Sequence, residues 1–128
     1  MGSEREEEET PSTESKLADL SKVLKGIRGD EVLLGRLIGN FLDDCPARRS
    51  ALHRAVVAGD REGVDREAHG LRGSLLLFGA EPAARLVSEL EVLARDGRLQ
   101  RAEETLRLLD TELEQLTEFL SRRRAPAP

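Results

Sequence analysis

A single histidine near the middle of the chain stands among residue types that suit phosphoryl chemistry. His69 is followed by a cation, Arg72, three residues later and by Gly73 four residues later. A neutral imidazole is a competent nucleophile near neutral pH, because its unperturbed pKa is about 6.5. An arginine one turn away offsets the charge that a phosphoryl group adds, and a glycine leaves a notch through which a partner's active site reaches the ring. The spacing therefore predicts that His69 carries a phosphoryl group.

The helical period places this histidine on the polar side of its segment. With 100° per residue, the apolar residues of the segment fall opposite His69, so we expect the ring to face solvent. Asp65, four residues earlier, either orients the imidazole through its second nitrogen or forms a weak surface ion pair. The residues within about 60° of His69 in this projection are Glu62, Asp65, Arg66, Arg72, Gly73 and Leu76.

Two leucines extend this face toward the end of the segment. Leu76 lies on the histidine face and Leu77 lies beside it. Apolar side chains next to a charged nucleophile are typical of a docking patch for a partner protein. The alternative is contact with a neighbouring helix, and it weighs more heavily for Leu77 than for Leu76.

The composition favours helices as the elements that position His69. Leucine dominates the apolar residues, tryptophan and tyrosine are absent, and there are three phenylalanines. Short connections between amphipathic helices make neighbouring helices antiparallel. We predict an all-α fold, an up-down antiparallel four-helix bundle with an additional short N-terminal helix as a lid or brace. Pro46 predicts a kink or short break near 43–47. Apolar residues at steps of three and four mark helical segments at about 16–27, 31–58, 61–78, 82–95 and 98–122.

Charge is concentrated at the start of the chain. Residues 1–15 contain six Glu and one Arg, a net charge of −5 that equals the net charge of the whole chain, so residues 16–128 are formally neutral. We predict a disordered acidic tail over 1–15, a helical bundle over 16–124 and a disordered C-terminal tail over 125–128. The neutral body gives no reason to expect nucleic acid as a partner.

What the sequence lacks argues against several kinds of site and location. A lone cysteine, Cys45, excludes an intramolecular disulfide and fits a reducing compartment. No apolar run approaches the ~18–20 residues of a membrane span, so we expect a cytoplasmic protein without a membrane partner. A metal site built from Cys45, His53 and His69 would need a fourth ligand that the sequence does not supply. We therefore predict no metal, and His53 is interpreted as a surface or boundary residue.

The residues around His69 resemble the signature of histidine-containing phosphotransfer (HPt) domains. In that signature, Ala-His is followed by Leu, Lys, Gly and Ser, and a few residues later by Gly-Ala. The likeness covers about residues 30–120. Outside the core motif it includes Phe41, Asp44, Pro46, Leu52, Ala55, Gly59-Asp60, Leu90-Glu91 and Arg95. Within the motif, this chain has Ala68-His69, Leu71, Arg72, Gly73, Ser74 and Gly79-Ala80 at the same offsets.

The resemblance implies a monomeric four-helix bundle that acts as a phosphocarrier without catalytic activity of its own. His69 would accept a phosphoryl group from a receiver aspartate or a histidine kinase and pass it to the receiver domain of a response regulator in a two-component phosphorelay. Arg72 would be the compensating cation and Gly73 the clearance residue. Mg²⁺ would belong to the receiver domain, so no cofactor is expected on this chain.

The chain departs from the family pattern at two places. Arg72 stands where lysine is usual, which keeps the positive charge but replaces a compact ammonium group by a planar guanidinium. Leu75, Leu76 and Leu77 replace small or polar residues, so the site is more apolar than is typical.

Two other functions remain open at this point. A helical adaptor that binds a signalling partner without phosphorylation predicts that His69→Ala leaves function intact. A small enzyme with His69 as general base ranks last, because it needs a concave pocket and a second catalytic group.

Overall fold

The computed structural model describes residues 17–124, and within that range it contains helices and no strand. Four of the helices form the predicted up-down antiparallel bundle, and a short fifth helix precedes them, so the predicted fold class is confirmed. The tails predicted over 1–15 and 125–128 lie outside the described residues. In chain order the elements are α1 (Leu20–Gly26), α2 (Glu31–Ala58), α3 (Arg61–Leu77), α4 (Glu81–Arg95), a 3₁₀ turn (Leu99–Arg101) and α5 (Glu103–Arg124).

Aspartates begin the helices that flank the central connection. The side chain of Asp30 accepts a hydrogen bond from the backbone N–H of Leu33 at the start of α2, and Asp60 accepts one from Gly63 at the start of α3. Gly59 ends α2 in the left-handed region with φ 68°. Because only Gly59 and Asp60 separate the two helices, α2 and α3 must run antiparallel in direct contact.

The core fixes the orientation of α3. Helix α3 lies between α2 and α4 and packs against both. Its fully buried side chains recur at helical spacing, and Phe78 just beyond them meets the ring of Phe41 edge-on at 5.6 Å. Because the buried stripe is opposite His69, burial of its side chains in the core keeps the His69 side chain on the solvent side of the helix. The buried residues of the stripe are Val64, Ala68, Leu71 and Leu75.

Two adjacent leucines offer a test of this orientation. Leu75 is fully buried and Leu76 is 55% exposed. We expect Leu75→Ala to lower the free energy of unfolding by about 2–5 kcal/mol, because it leaves a cavity in the core. Leu76→Ala should change it by about 0.5 kcal/mol or less. Urea denaturation of both variants measures the difference, and equal losses would contradict the orientation assigned to α3.

Two details of the predicted helices were wrong. The short break that was one of the two alternatives predicted at 43–47 is absent, because helix α2 stays continuous through Pro46. Burial of Phe41, Cys45 and Leu52 on one side of the helix outweighs the single backbone hydrogen bond that proline removes. The last helix begins at Glu103 rather than near 98, because the preceding 3₁₀ turn brings Leu99 into the core.

The segment before α1 braces the turn between α3 and α4. Leu17 and Ala18 are buried, and the backbone N–H of Asp19 donates to the carbonyl of Phe78 at 2.7 Å. Gly79 has φ +70°, and a Cβ there would lie 2.8 Å from the Cβ of Asp19. The glycine of the Gly79-Ala80 pair is therefore required by its backbone conformation and by the close approach of the N-terminal segment. The predicted brace is present, with a helix shorter than the predicted 16–27.

Candidate functional site

His69 lies near the middle of α3 with its side chain exposed to solvent. The residue before it, Ala68, is fully buried, and so is Leu71 two positions later. Within residues 17–124, no hydrogen bond or ion pair engages the imidazole, and the two arginines on its flanks, Arg66 and Arg72, pair with Glu67 and Glu91. The ring is therefore available to a reactant from outside, as the helical period predicts.

Arg72 lies on the α4 side of the histidine and pairs with Glu91. Its Nε is 3.2 Å from Glu91 Oε1, and its Nη2 donates to Oε2 at 3.5 Å. Nε is buried and has no hydrogen-bond partner, although it lies close to the carboxylate. The Glu91 side chain is only 10% exposed, whereas that of Arg72 is 37% exposed. The arginine therefore neutralises a buried carboxylate while part of its guanidinium still faces water.

Gly73 faces open space. A Cβ built at this position meets no atom within 4 Å. No packing within the described bundle requires a glycine here, although glycine costs a helix interior about 1 kcal/mol relative to alanine. The geometry matches the predicted notch one turn from His69.

Leu76 and Leu77, which we call the leucine patch, are exposed at the end of α3. Leu76 is 55% exposed and Leu77 is 47% exposed. Both are too exposed to be core residues, and they continue the histidine face toward the α3–α4 turn. The patch therefore offers apolar surface beside His69.

The remaining predicted site residues lie around the histidine without a hydrogen bond or ion pair to it in residues 17–124. Glu62 and Asp65 line a shallow groove between α3 and α4 together with Glu91. No hydrogen bond links Asp65 to His69 in the described part of the chain, and the Nε of Arg66 donates to Glu67 at 3.4 Å instead. The orienting role considered for Asp65 therefore has no contact to support it.

Comparisons with known proteins concern the family and the fold of the chain. The family model of the Hpt domain matches residues 36–119. Among solved structures, the chain is similar to histidine-containing phosphotransfer protein B (HptB) from Pseudomonas aeruginosa PAO1. The identity is 30%, the match covers 84% of this chain and 93% of that chain, and the TM-score is 0.75. A comparison with curated proteins finds no match.

The chain belongs to the Hpt domain family. The predicted resemblance is therefore confirmed, and this Hpt domain is a histidine phosphotransfer protein of two-component signalling. Proteins of this family interact with histidine kinases and receiver domains. None of the helices described has the length and apolarity needed to cross a membrane.

Sequence reasoning missed two features of the Hpt site. The first is the pairing of Arg72 with Glu91; its signal is a glutamate at a position of the apolar stripe of α4, where a carboxylate needs a cation. The second is an arginine from α2, Arg48, whose guanidinium lies against α3 at Gly70. Gly70, a glycine inside a helix, is a signal of a close approach, but the sequence does not identify Arg48 as the residue that approaches, because that depends on how two helices pack.

The other histidine and the cysteine lie in different surroundings. His53 Nε2 is 2.8 Å from Asp110 Oδ2, and Arg49 donates from Nε to the same carboxylate at 2.8 Å, which ties α2 to α5. Cys45 is buried, and burial raises the pKa of its thiol. Among residues 17–124, no three His, Cys, Asp or Glu side chains are grouped as metal ligands.

Proposed function

We propose that His69 is the residue that carries the phosphoryl group. It would receive that group from a receiver aspartate or a histidine kinase and pass it to the receiver domain of a response regulator. The single observation that supports this most strongly is the exposed imidazole of His69 beside the empty space over Gly73. A partner's active site needs such an opening to bring phosphorus within bonding distance of a ring nitrogen.

The transfer is an in-line displacement at phosphorus. A lone pair of an imidazole nitrogen attacks the phosphorus of the partner's aspartyl phosphate, and a P–N bond forms as the bond to the carboxylate oxygen breaks. The carboxylate leaves as an anion, and the proton on the other ring nitrogen is released to water. Passing the group onward reverses these bond changes on another receiver aspartate.

The partner supplies most of the catalytic apparatus in this proposal. Phosphoryl transfer depends on position and on charge stabilisation, and Mg²⁺ with its acidic pocket belongs to the receiver domain. The Hpt chain contributes a nucleophile, clearance and nearby cations. We infer that it has no catalytic activity and no cofactor of its own, acts as a monomer, and works with protein partners rather than nucleic acid or membranes.

Arg72 has two functions under this proposal. Its guanidinium compensates the phosphoryl charge at His69, and it also neutralises the buried Glu91 carboxylate. Removing Arg72 alone leaves that carboxylate unpaired, so a loss of transfer would mix stability with chemistry. The double variant Arg72→Gln/Glu91→Gln removes both charges together and separates the two effects.

The leucine patch is the proposed docking surface for the receiver. Replacing Leu76 and Leu77 by serine should weaken transfer from a phosphorylated receiver about tenfold at low receiver concentration, because apolar contact area is lost. The substitution should raise KM more than it lowers kcat. Val57→Ser is the matched control, since Val57 is 86% exposed on α2. Equal effects of the two substitutions on transfer would contradict the assignment of the patch.

Label transfer tests the proposal as a whole. The purified protein is incubated with a receiver domain carrying labelled phosphate, or with an active histidine kinase and labelled Mg-ATP. We expect label on the protein that is lost in acid and kept in base, as a phosphorus–nitrogen bond requires. Absence of label with every receiver and kinase of the source cell would instead favour the adaptor, which binds a signalling partner without phosphorylation.

A further inference from the structure

A second guanidinium lies next to the helix that presents His69. The end of the Arg48 side chain, which comes from α2, occupies the place where a Cβ of residue 70 would be. An alanine at this position would overlap Nη1 of Arg48, and its Cβ would lie 2.5 Å from Cζ. Gly70, which directly follows His69, therefore forms a seat for Arg48.

This seat explains a glycine that is otherwise unfavourable. Gly70 is in the interior of α3, where glycine costs about 1 kcal/mol relative to alanine. The two glycines on either side of Arg72 have different surroundings, because a Cβ at Gly73 meets nothing and a Cβ at Gly70 meets Arg48. Gly73 leaves room for a partner, whereas Gly70 leaves room for a cation of this chain.

The two arginines flank the histidine on opposite sides. In a helical projection Arg72 lies about 60° to one side of His69 and Gly70 about 100° to the other. The Arg48 guanidinium occupies the Cβ position next to that of His69, and adjacent Cβ positions on a helix are roughly 5 Å apart. It therefore lies within one screening length of physiological salt, ~8 Å, of the base of the His69 side chain. A phosphoryl group on His69 would have a cation on each side.

The Arg48 guanidinium is held loosely enough to respond to a new anion. Nη1 is 3.3 Å from Glu67 and Nη2 is 3.3 Å from Asp44, both at the long end for charge-assisted hydrogen bonds. The side chain is 31% exposed, and Asp44 is 70% exposed. A phosphoryl group carries a charge of about −1.5 to −2 near neutral pH, more than either carboxylate.

We propose that Arg48, seated on Gly70, is a second cation for the phosphoryl group on His69. This inference rests on the proposed role of His69. Arg48 compensates phosphoryl charge from the α2 side as Arg72 does from the α4 side, and it acts without any partner protein bound.

Labelling with a small donor tests this proposal apart from docking. Phosphoramidate phosphorylates exposed imidazoles without a protein partner, and ³¹P NMR then gives the pKa of the phosphoryl group on His69. We expect Arg48→Gln to raise that pKa by a few tenths of a unit, because a nearby cation favours the dianion. Arg48→Lys should restore part of the difference.

Gly70→Ala tests the seat itself. The methyl group displaces only the end of a flexible side chain, so the variant should fold, and it should raise the phosphoryl pKa in the same direction as Arg48→Gln. The double variant should show no further rise. Two controls should leave this pKa unchanged: Arg54→Gln, an exposed arginine on the same helix, and Gly35→Ala, where a Cβ meets open space.

Each outcome decides the role of Arg48. An unchanged pKa in Arg48→Gln, or in a folded Gly70→Ala variant, overturns the proposal. So does an equal shift in Arg54→Gln, which would indicate only a change in net charge. If phosphoramidate labels His69 but no receiver or kinase does, the proposed phosphorelay role fails while the test of Arg48 remains valid.

Discussion

A His69→Gln variant should take up no phosphoryl group from a phosphorylated receiver or a histidine kinase. The loss should be complete, because glutamine keeps polar character but has no nucleophilic ring nitrogen. His69 is exposed, so the free energy of unfolding should change by about 0.5 kcal/mol or less. Labelled transfer, measured beside circular dichroism and thermal unfolding, separates loss of the acceptor from loss of the fold.

The chain supplies its own matched control, because it contains two histidines. His53→Gln removes the other imidazole, whose Nε2 faces Asp110 between α2 and α5. This variant should retain transfer at close to the unmodified level. Label that persists on His69→Gln and disappears from His53→Gln would contradict the assignment and move the phosphorylated site to the other side of α2.

The second large effect is expected at Gly73. A Gly73→Leu variant should fold, because the new side chain extends into open space and leucine is a better helix former than glycine. Transfer from a receiver domain should nevertheless fall on the order of a hundredfold, since displacing reacting atoms by about 1 Å has a cost of that size. Single-turnover transfer at saturating receiver concentration measures the chemical step.

Three comparisons sharpen the test of Gly73. Gly73→Ala should give an intermediate rate. Gly35→Leu adds the same side chain to α2, at a position where a Cβ also meets open space, and should transfer normally. Phosphoramidate should label Gly73→Leu nearly as fast as the unmodified protein, because a small donor needs little room. A folded Gly73→Leu variant with normal receiver transfer would remove the clearance argument.

The features that depend on one helix were predictable from the sequence. The 3.6-residue period placed His69 opposite the buried stripe of α3, and the structure has the ring exposed. The exposed leucine patch and the aspartates that begin helices were also predictable from the sequence, because they follow from local chemistry and helix geometry. The brace at Gly79 was predictable in outline, although its contact with Asp19 was not.

The features that depend on two helices were not predictable. Arg72 was expected to be a cation on the histidine face, and its pairing with Glu91 required knowing how α3 and α4 pack. Arg48 could not be identified from the sequence, since it lies 22 positions before the glycine that it contacts. Pro46 does not break α2, because burial along that helix outweighs a local preference against helix. Side-chain contacts between elements, rather than the elements themselves, were what the sequence left open.

Arg48 and Arg72, on the two sides of α3, have a consequence for how other proteins would recognise the phosphorylated domain. Each guanidinium already spans two helices, Arg48 from α2 to Glu67 and Arg72 from α3 to Glu91. If both arginines act as proposed, a phosphoryl group on His69 would require only the ends of these side chains to shift, and the packed leucines beneath them would not rearrange. The phosphorylated and unphosphorylated forms should therefore have the same backbone conformation. Partner proteins would distinguish them by surface charge rather than by shape.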